Sequence, residues 1–541
     1  MRAFGSLLVL FLLVALGGCD DKGYQTHKDK AAAEKKKAAD RKKKVNENLV
    51  RQQRELVEKT RSALEPVEQA YRETQANLRS GSSSSYRTDT NAGRTIVKQL
   101  KETAELEPTL AMWLIDTTPS ALRVTDELRR AALDFYGSGD WKVIQGANPE
   151  QLQTVVIGFG AQPKFVTESP TADAAAVKTA FGELSSGPEE PEHTFAAVKA
   201  VLDKFLAPAL EQRRRMFVVV ATDEAGDDPQ VADEIVPLLK KHEIPVFVVG
   251  VNAPWGMTNP AGEIPGAKKN DLPVYGPESV ASERVRIELP SFRSATGVTA
   301  FDSGFGPQAL ERIARAGAGA FLAVRPGGGG TYGGGTAWPG SEQRFDPQGM
   351  KKYAPDYISA ADYQQAVSAN KAKAALVAAA KLPRVDVLKS PPTSFFKRNE
   401  ADLKRQVVGA QRESAKLSPE IDKMADLLLA GEGDRAKLTE PRWQAGFDLA
   451  LGRILAVKAR CDVYAGVLAA LNRGKEFANP EHKTWTLTQA DAFEGDSKNQ
   501  KTAEKAKRLL EGVVKDHPNT PWAVEAAEEL KTPLGWKLEE S

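Results

Sequence analysis

The sequence predicts an α/β protein: a doubly wound, mostly parallel sheet, with an N-terminal helical stalk and a C-terminal all-α domain. Three observations predict it. Short apolar runs at 110–115, 154–159, 216–221, 246–251 and 320–324 read as strands buried on both faces. Helical patterns lie between these runs, the alternation that builds a parallel sheet. From 356 onward the periodicity is helical.

The chain has 541 residues, 41% hydrophobic and 27% charged, enough for two or three domains with linkers. Its 74 basic and 72 acidic residues leave a formal net charge of +2, which gives no footing for nucleic-acid binding. Two cysteines, Cys19 and Cys461, supply neither a disulfide framework nor a zinc site.

Residues 1–19 read as an export signal. Arg2 starts it, and an apolar stretch over 7–16 is too short to span a bilayer comfortably. The stretch ends in Leu16-Gly17-Gly18-Cys19, which resembles a bacterial lipobox. That resemblance implies cleavage before Cys19, lipidation of Cys19, and a membrane-anchored protein of the bacterial cell envelope facing the periplasm or exterior. Residues 20–86 form a charged helical stalk and a linker. AAAEKKKAADRKKK favours helix but has no apolar face, and RSGSSSSY closes the segment as a flexible connector.

Over 87–325 the chain carries the α/β domain. A lead-in helix is predicted over 95–106, then a strand over 110–115. Helices follow over 120–136, 172–184 and 194–206, with a strand at 154–159 between the first two. Strand 216–221, helix 230–242, strand 246–251, helix 308–316 and strand 320–324 complete the sheet. The first strand runs into Asp116, Thr118 and Ser120, three oxygen-bearing side chains at alternate positions. The strand at 216–221 runs into Thr222-Asp223-Glu224, and Thr194 opens an amphipathic helix. In open α/β sheets ligands bind beyond the C-terminal strand ends. Carboxylates and hydroxyls gathered there suit a hard divalent cation, Mg²⁺ above all, or Mn²⁺ in its place.

D-x-T-x-S followed by a distant Thr and a distant Asp resembles the metal-ion-dependent adhesion site of the von Willebrand factor type A (vWA) domain. The order, the strand before each Asp and the spacing fit; Thr118 stands where Ser is more usual. The resemblance covers roughly 105–325. It implies a vWA-like (Rossmann-like) sheet, and one Mg²⁺ held by Asp116, Thr118, Ser120, Thr194 and Asp223. It also implies a metal position left for an acidic group of a ligand.

An insertion over 252–304 leaves the metal-bearing edge and is rich in Pro and Gly. A loop of that length is usually functional or disordered. Trp255, Tyr275, Glu278 and Glu283 within it are candidates to shape a ligand rim, with Glu224 beside Asp223; packing on the sheet edge is the alternative. Asp227 and Asp228 read as solvated turn residues. Residues 326–355 are a Gly/Pro-rich linker lacking the Gly-Lys-Ser/Thr ending of a phosphate loop. Over 356–541, helices are predicted at 360–382, 398–429, 442–471 and 501–530. The last resembles a single tetratricopeptide-type hairpin, with Pro521 at a first helical position. Cys461 lies on an apolar face.

No H-E-x-x-H, G-x-S-x-G or P-loop occurs, and the five histidines are scattered. His193, beside Thr194, reads as a polar helix start. The expectation is therefore a binding protein, not an enzyme: a membrane-anchored exported protein that takes a protein or other acidic ligand through Mg²⁺. A structural envelope scaffold without metal-dependent binding is the alternative. A metal-dependent hydrolase using the same acids is the third, disfavoured because no base or nucleophile stands beside them.

Overall fold

The computed structural model describes residues 36–37, 44, 48, 51, 92–146, 148–187, 191–256, 276–287, 301–324, 345–382, 391–491, 493 and 497–541. Residues 1–19, read above as an export signal ending in Cys19, the predicted linker 79–86, Tyr275 and the Gly-rich stretch 327–340 lie outside the described residues. The chain divides into two compact units, 1–75 and 76–541. In the first, the five described residues are helical and exposed.

In the second unit, a lead-in helix α1 (Ala92–Leu106) precedes strand β1 (Thr109–Asp116). Helices α2 (Leu122–Gly137) and α3 (Gly139–Gln145), strands β2 (Leu152–Phe159) and β3 (Lys164–Phe165), and helix α4 (Ala174–Glu183) follow. Next come α5 (Thr194–Glu211), β4 (Arg215–Ala221), α6 (Ala232–Lys241) and β5 (Val246–Gly250), then α7 (Gln308–Ala316) and β6 (Ala320–Ala323). The sheet order is β3-β2-β1-β4-β5-β6, parallel throughout except for β3. This is the doubly wound, mostly parallel sheet that the vWA-like reading implies.

The pleat sorts each apolar run into two cores. Trp113 and Ile115 of β1, with Val156, Val219 and Val249, pack under α1, α2 and α4. Met112 and Leu114, with Ile157, Val218 and Val248, pack under α5, α6 and α7. Because both faces are covered, no strand in this set needs a polar side, so the runs are continuous rather than alternating. The chain steps from β1 to β2 on one side, then returns past β1 to β4 on the other. The switch between β1 and β4 opens a crevice at their C-terminal ends, where Asp116 and Asp223 emerge.

The insertion is not a loose decoration. Trp255, Val285, Ile287, Phe301 and Phe305 enter one apolar core with the helices of the C-terminal region. That region contains α8 (Pro347–Met350), α9 (Ala360–Ser368), α10 (Lys371–Ala380), α11 (Glu400–Ala415), α12 (Ser418–Gly431) and α13 (Pro441–Asn472). Helices α14 (Ser497–Asp516) and α15 (Pro521–Leu530) form the final hairpin, with Pro521 as first residue of α15 and the Thr520 hydroxyl capping Ala523 N at 3.2 Å. Two predicted helices are each split. Asn370 caps Ala372 N at 2.8 Å, which separates α9 from α10. A turn at 416–417 separates α11 from α12, with Pro419 in the first turn of α12.

The C-terminal region is not purely helical, which corrects the all-α expectation. Strands β7 (Ser394–Phe396), β8 (Thr484–Ala490) and β9 (Gly535–Glu540) form an antiparallel sheet in the order β7-β8-β9. Phe395, Trp485, Leu487, Trp536 and Leu538 point to one side and close a core with α11 and α13. TWTLTQA alternates with period two, the signature of a half-buried strand.

Candidate metal centre

The site is assembled from three loops that follow β1, precede α5 and follow β4. Asp116 is the last residue of β1 and is 2% exposed. Its Oδ1 accepts from Thr118 N at 2.9 Å and from the Thr118 hydroxyl at 2.7 Å, which folds the turn back on the carboxylate. Ser120 Oγ lies 3.2 Å from Thr118 Oγ1 and donates to Asp223 Oδ1 at 3.4 Å. The predicted residues Asp116, Ser120, Thr118 and Asp223 therefore meet, and Thr194 is buried at the first position of α5.

The loop after β4 locks α5 in place. Gly226 has φ +80°, and a Cβ there would sit 2.9 Å from the Phe195 ring and 3.2 Å from Thr194. Only glycine combines that backbone with that approach. Asp228 accepts from Phe195 N at 3.2 Å and Ala196 N at 2.6 Å, capping α5 from another loop. Asp227 accepts from Glu192 N at 3.0 Å. Both acids are thus ties between loops; Asp228 is buried, which corrects its reading as a solvated turn residue, while Asp227 is exposed as that reading has it. His193 is committed to Ala161 O, 2.9 Å from its Nδ1.

Glu192 is the member that sequence reasoning missed. It is 3% exposed, and it joins Asp116 and Asp223 in a triad whose nearest carboxylate oxygens all lie within 4.8 Å of one another. The Thr118 hydroxyl reaches Glu192 Oε1 at 2.9 Å as well as Asp116. The Thr222 hydroxyl lies 2.9 Å from Asp116 Oδ2 and 3.1 Å from Glu192 Oε2. Two hydroxyl protons face four carboxylate contacts, and an ionised carboxylate only accepts. The cluster is short of positive charge. In the sequence, Glu192 is one of a run of glutamates, and only its place two residues before Thr194 could have marked it.

The electrostatics agree. Burial raises Asp116 above the usual carboxylate range. Burial, then the charges of Asp116, Glu224 and Asp223, pushes Glu192 up further. Asp223 is raised well above its ordinary value by burial, then by Asp116 and Glu224. Asp223 Oδ2, in the triad, and Thr194 Oγ1, buried two residues after Glu192 at the start of α5, have no hydrogen-bond partner. Each such orphan costs about 1–3 kcal/mol. A divalent cation satisfies both shortages at once, and an all-oxygen donor set fits a hard ion. Asp116, Thr118, Ser120, Thr194, Asp223 and Glu192 are the residues that would hold it.

The rim residues separate. Half-buried Glu224 adjoins the triad, as its charge on Glu192 and Asp223 shows. Trp255 and Glu278 do not form a rim, and the structure corrects that expectation. Trp255 is 2% exposed and packs edge-on against Trp522, with the Arg284 guanidinium 4.6 Å from its ring centre. Glu278 is 1% exposed and paired with Arg442 at 2.6 Å. Glu283, also buried, takes Arg442 Nε at 2.6 Å. Among the described residues of the insertion, Trp255, Glu278 and Glu283 are used up inside the molecule.

The chain matches no protein-family model and no curated protein. Among solved structures it is similar to proximal thread matrix protein 1 from the mussel byssus, described with a zinc-occupied MIDAS motif. The identity is 12% and the TM-score 0.22, over 27% of this chain and 36% of that one. It is also similar to the VWA domain of SpRpn10, at 13% identity and TM-score 0.20, over 26% of this chain and 75% of that one. The chain thus spans about a third of the mussel protein's length. At these values neither likeness carries an inference about ligand or partner.

Proposed function

We propose that this is an exported, lipid-anchored binding protein whose vWA-like sheet edge engages a protein or other acidic ligand through a bound divalent ion, Mg²⁺ or Mn²⁺. The observation that carries it is the buried triad Asp116, Glu192 and Asp223, in which Asp223 Oδ2 has no hydrogen-bond partner. A bound cation supplies charge to attract a partner carboxylate at that edge. The anchor rests on the LGGC motif ending in Cys19. The reading gives the acids a binding role and no catalytic one, since His193, the histidine beside the cluster, is held by Ala161 O.

Glu192 favours a second reading. Three ionised carboxylates over-neutralise a divalent ion, which would then only brace the loops. Thermal unfolding of the full chain in Mg²⁺, Mn²⁺ and EDTA tests the shared premise. An ion at about 100 times its dissociation constant stabilises the folded state by about 2.7 kcal/mol, and Asp116→Ala removes that gain. Mg²⁺-dependent binding of acetate then separates the readings: a ligand site takes it, and a purely structural ion does not. An absence of any metal response defeats both.

A further inference from the structure

The metal edge continues into a cleft of about 280 Å³ between the ends of β1 and β2, the β3 hairpin and the segment after α4. Thr118 belongs to both the cleft and the acidic cluster, so the two are one continuous surface. Its lining is mixed: hydroxyl and amide groups from Thr117, Gln162 and Ser185 stand beside Leu184 and Val166. Its two charged residues, Lys164 and Glu183, are both exposed and opposite in sign. The interior thus favours neither acid nor base.

Glycine makes the room. A Cβ added at Gly160 meets nothing within 4 Å, so that side chain would project into open space. At Gly158, by contrast, a Cβ would press on Thr117 Cγ2 at 3.0 Å and Leu184 Cδ2 at 3.1 Å. A volume of this size holds one side chain with its peptide group, far more than a lone carboxylate needs.

We propose that the cleft is the second half of a peptide-binding site. A short segment of a partner protein places an Asp or Glu carboxylate at the ion, and the adjacent uncharged residue enters the cleft beside Thr118. This rests on the ion-dependent reading above and narrows its ligand class from any acidic group to an acid followed or preceded by an uncharged residue.

The test uses the full chain in Mg²⁺ and titrates acetate against acetyl-Gly-Asp-Xaa-amide and acetyl-Xaa-Asp-Gly-amide peptides, with Xaa as Gly, Gln, Leu, Phe or Lys. Calorimetry reads affinity. The expected result is a peptide with uncharged Xaa that binds about tenfold or more tighter than acetate. Gly160→Val abolishes that preference and leaves acetate binding and the Mg²⁺ thermal shift unchanged. Gly160→Ala, a smaller intrusion, carries the comparison if valine impairs folding. A preference that survives both variants overturns the cleft assignment, as does a series in which no peptide exceeds acetate; in both cases the ion-dependent reading stands. Loss of acetate binding and of the metal shift in the unaltered chain overturns that reading and this one together.

Discussion

Two regions of this molecule bury carboxylates, and they treat them in opposite ways. Between the insertion and the C-terminal helices, the buried acids Glu278, Glu283 and Glu529 meet arginine. Arg442 bonds both Glu278 and Glu283 at 2.6 Å, and Ser303, Ser279 and Tyr363 hydroxyls take their remaining oxygens. Arg453 bonds Glu525 at 2.9 Å and Glu529 at 3.3 Å, while Arg460 bonds Glu529 at 2.5 Å. At the end of β1 and β4, Asp116, Glu192 and Asp223 meet hydroxyls, and no lysine or arginine pairs with these three among the described residues. Fold maintenance explains the first arrangement. The second destabilises the fold unless something else supplies charge, which is the mark of a site kept for a ligand.

The largest expected effect breaks the compensated region. Arg442→Met leaves Glu278 and Glu283 buried without their cation and costs about 3–5 kcal/mol in denaturant unfolding. A neutral outcome would mean that arginine is not what supports those acids. Next, Gly226→Ala forces a left-handed backbone onto a side-chain residue, against Phe195. It costs about 1–2 kcal/mol and weakens Mg²⁺ affinity, because it pushes the β4 loop off the start of α5. A mutant with wild-type metal response would show that the loop need not touch α5.

Smaller in stability, but sharper in meaning, is Asp223→Asn. In EDTA it removes a buried charge and raises stability by about 1 kcal/mol, whereas it abolishes the metal-induced shift. A destabilised EDTA form would contradict an uncompensated cluster. The pH dependence is the subtlest contrast. All three site acids are raised in the folded chain, so the folded state binds more protons than the unfolded one above about pH 4. Their contribution to stability is fully present below that pH and is lost as pH rises through the folded values. Without metal, stability should fall over that rise, and saturating Mg²⁺ should flatten the fall. Unfolding curves at stepped pH, with and without EDTA, check it.

Much of the sheet was legible because a strand buried on both faces must be apolar along its length. That constraint exposed 110–115 and 216–221, and with them Asp116 and Asp223 at their ends. Thr118, Ser120 and Thr194 were legible through spacing. Glu192 was not, because a glutamate in an acidic run shows nothing of the fold that turns it inward. Asp228 was hidden for the same reason: its partners are backbone amides of α5, which have no signature in side-chain pattern. Trp255 and Glu278 were misplaced because their partners, Trp522 and Arg442, lie far along the chain. The β7-β8-β9 sheet was readable in TWTLTQA, but the helices flanking it masked a short period-two segment.

The apolar core shared by the insertion and the C-terminal helices has a practical consequence. The Gly-rich stretch near 330 looks like a place to cut the chain. A fragment ending there would keep the whole six-stranded sheet, yet it would leave Trp255, Val285, Phe301 and Phe305 facing water. Such a fragment should be sticky and short-lived in solution, however well its sheet is formed. The seam between these two parts runs through the folded interior, not along the linker.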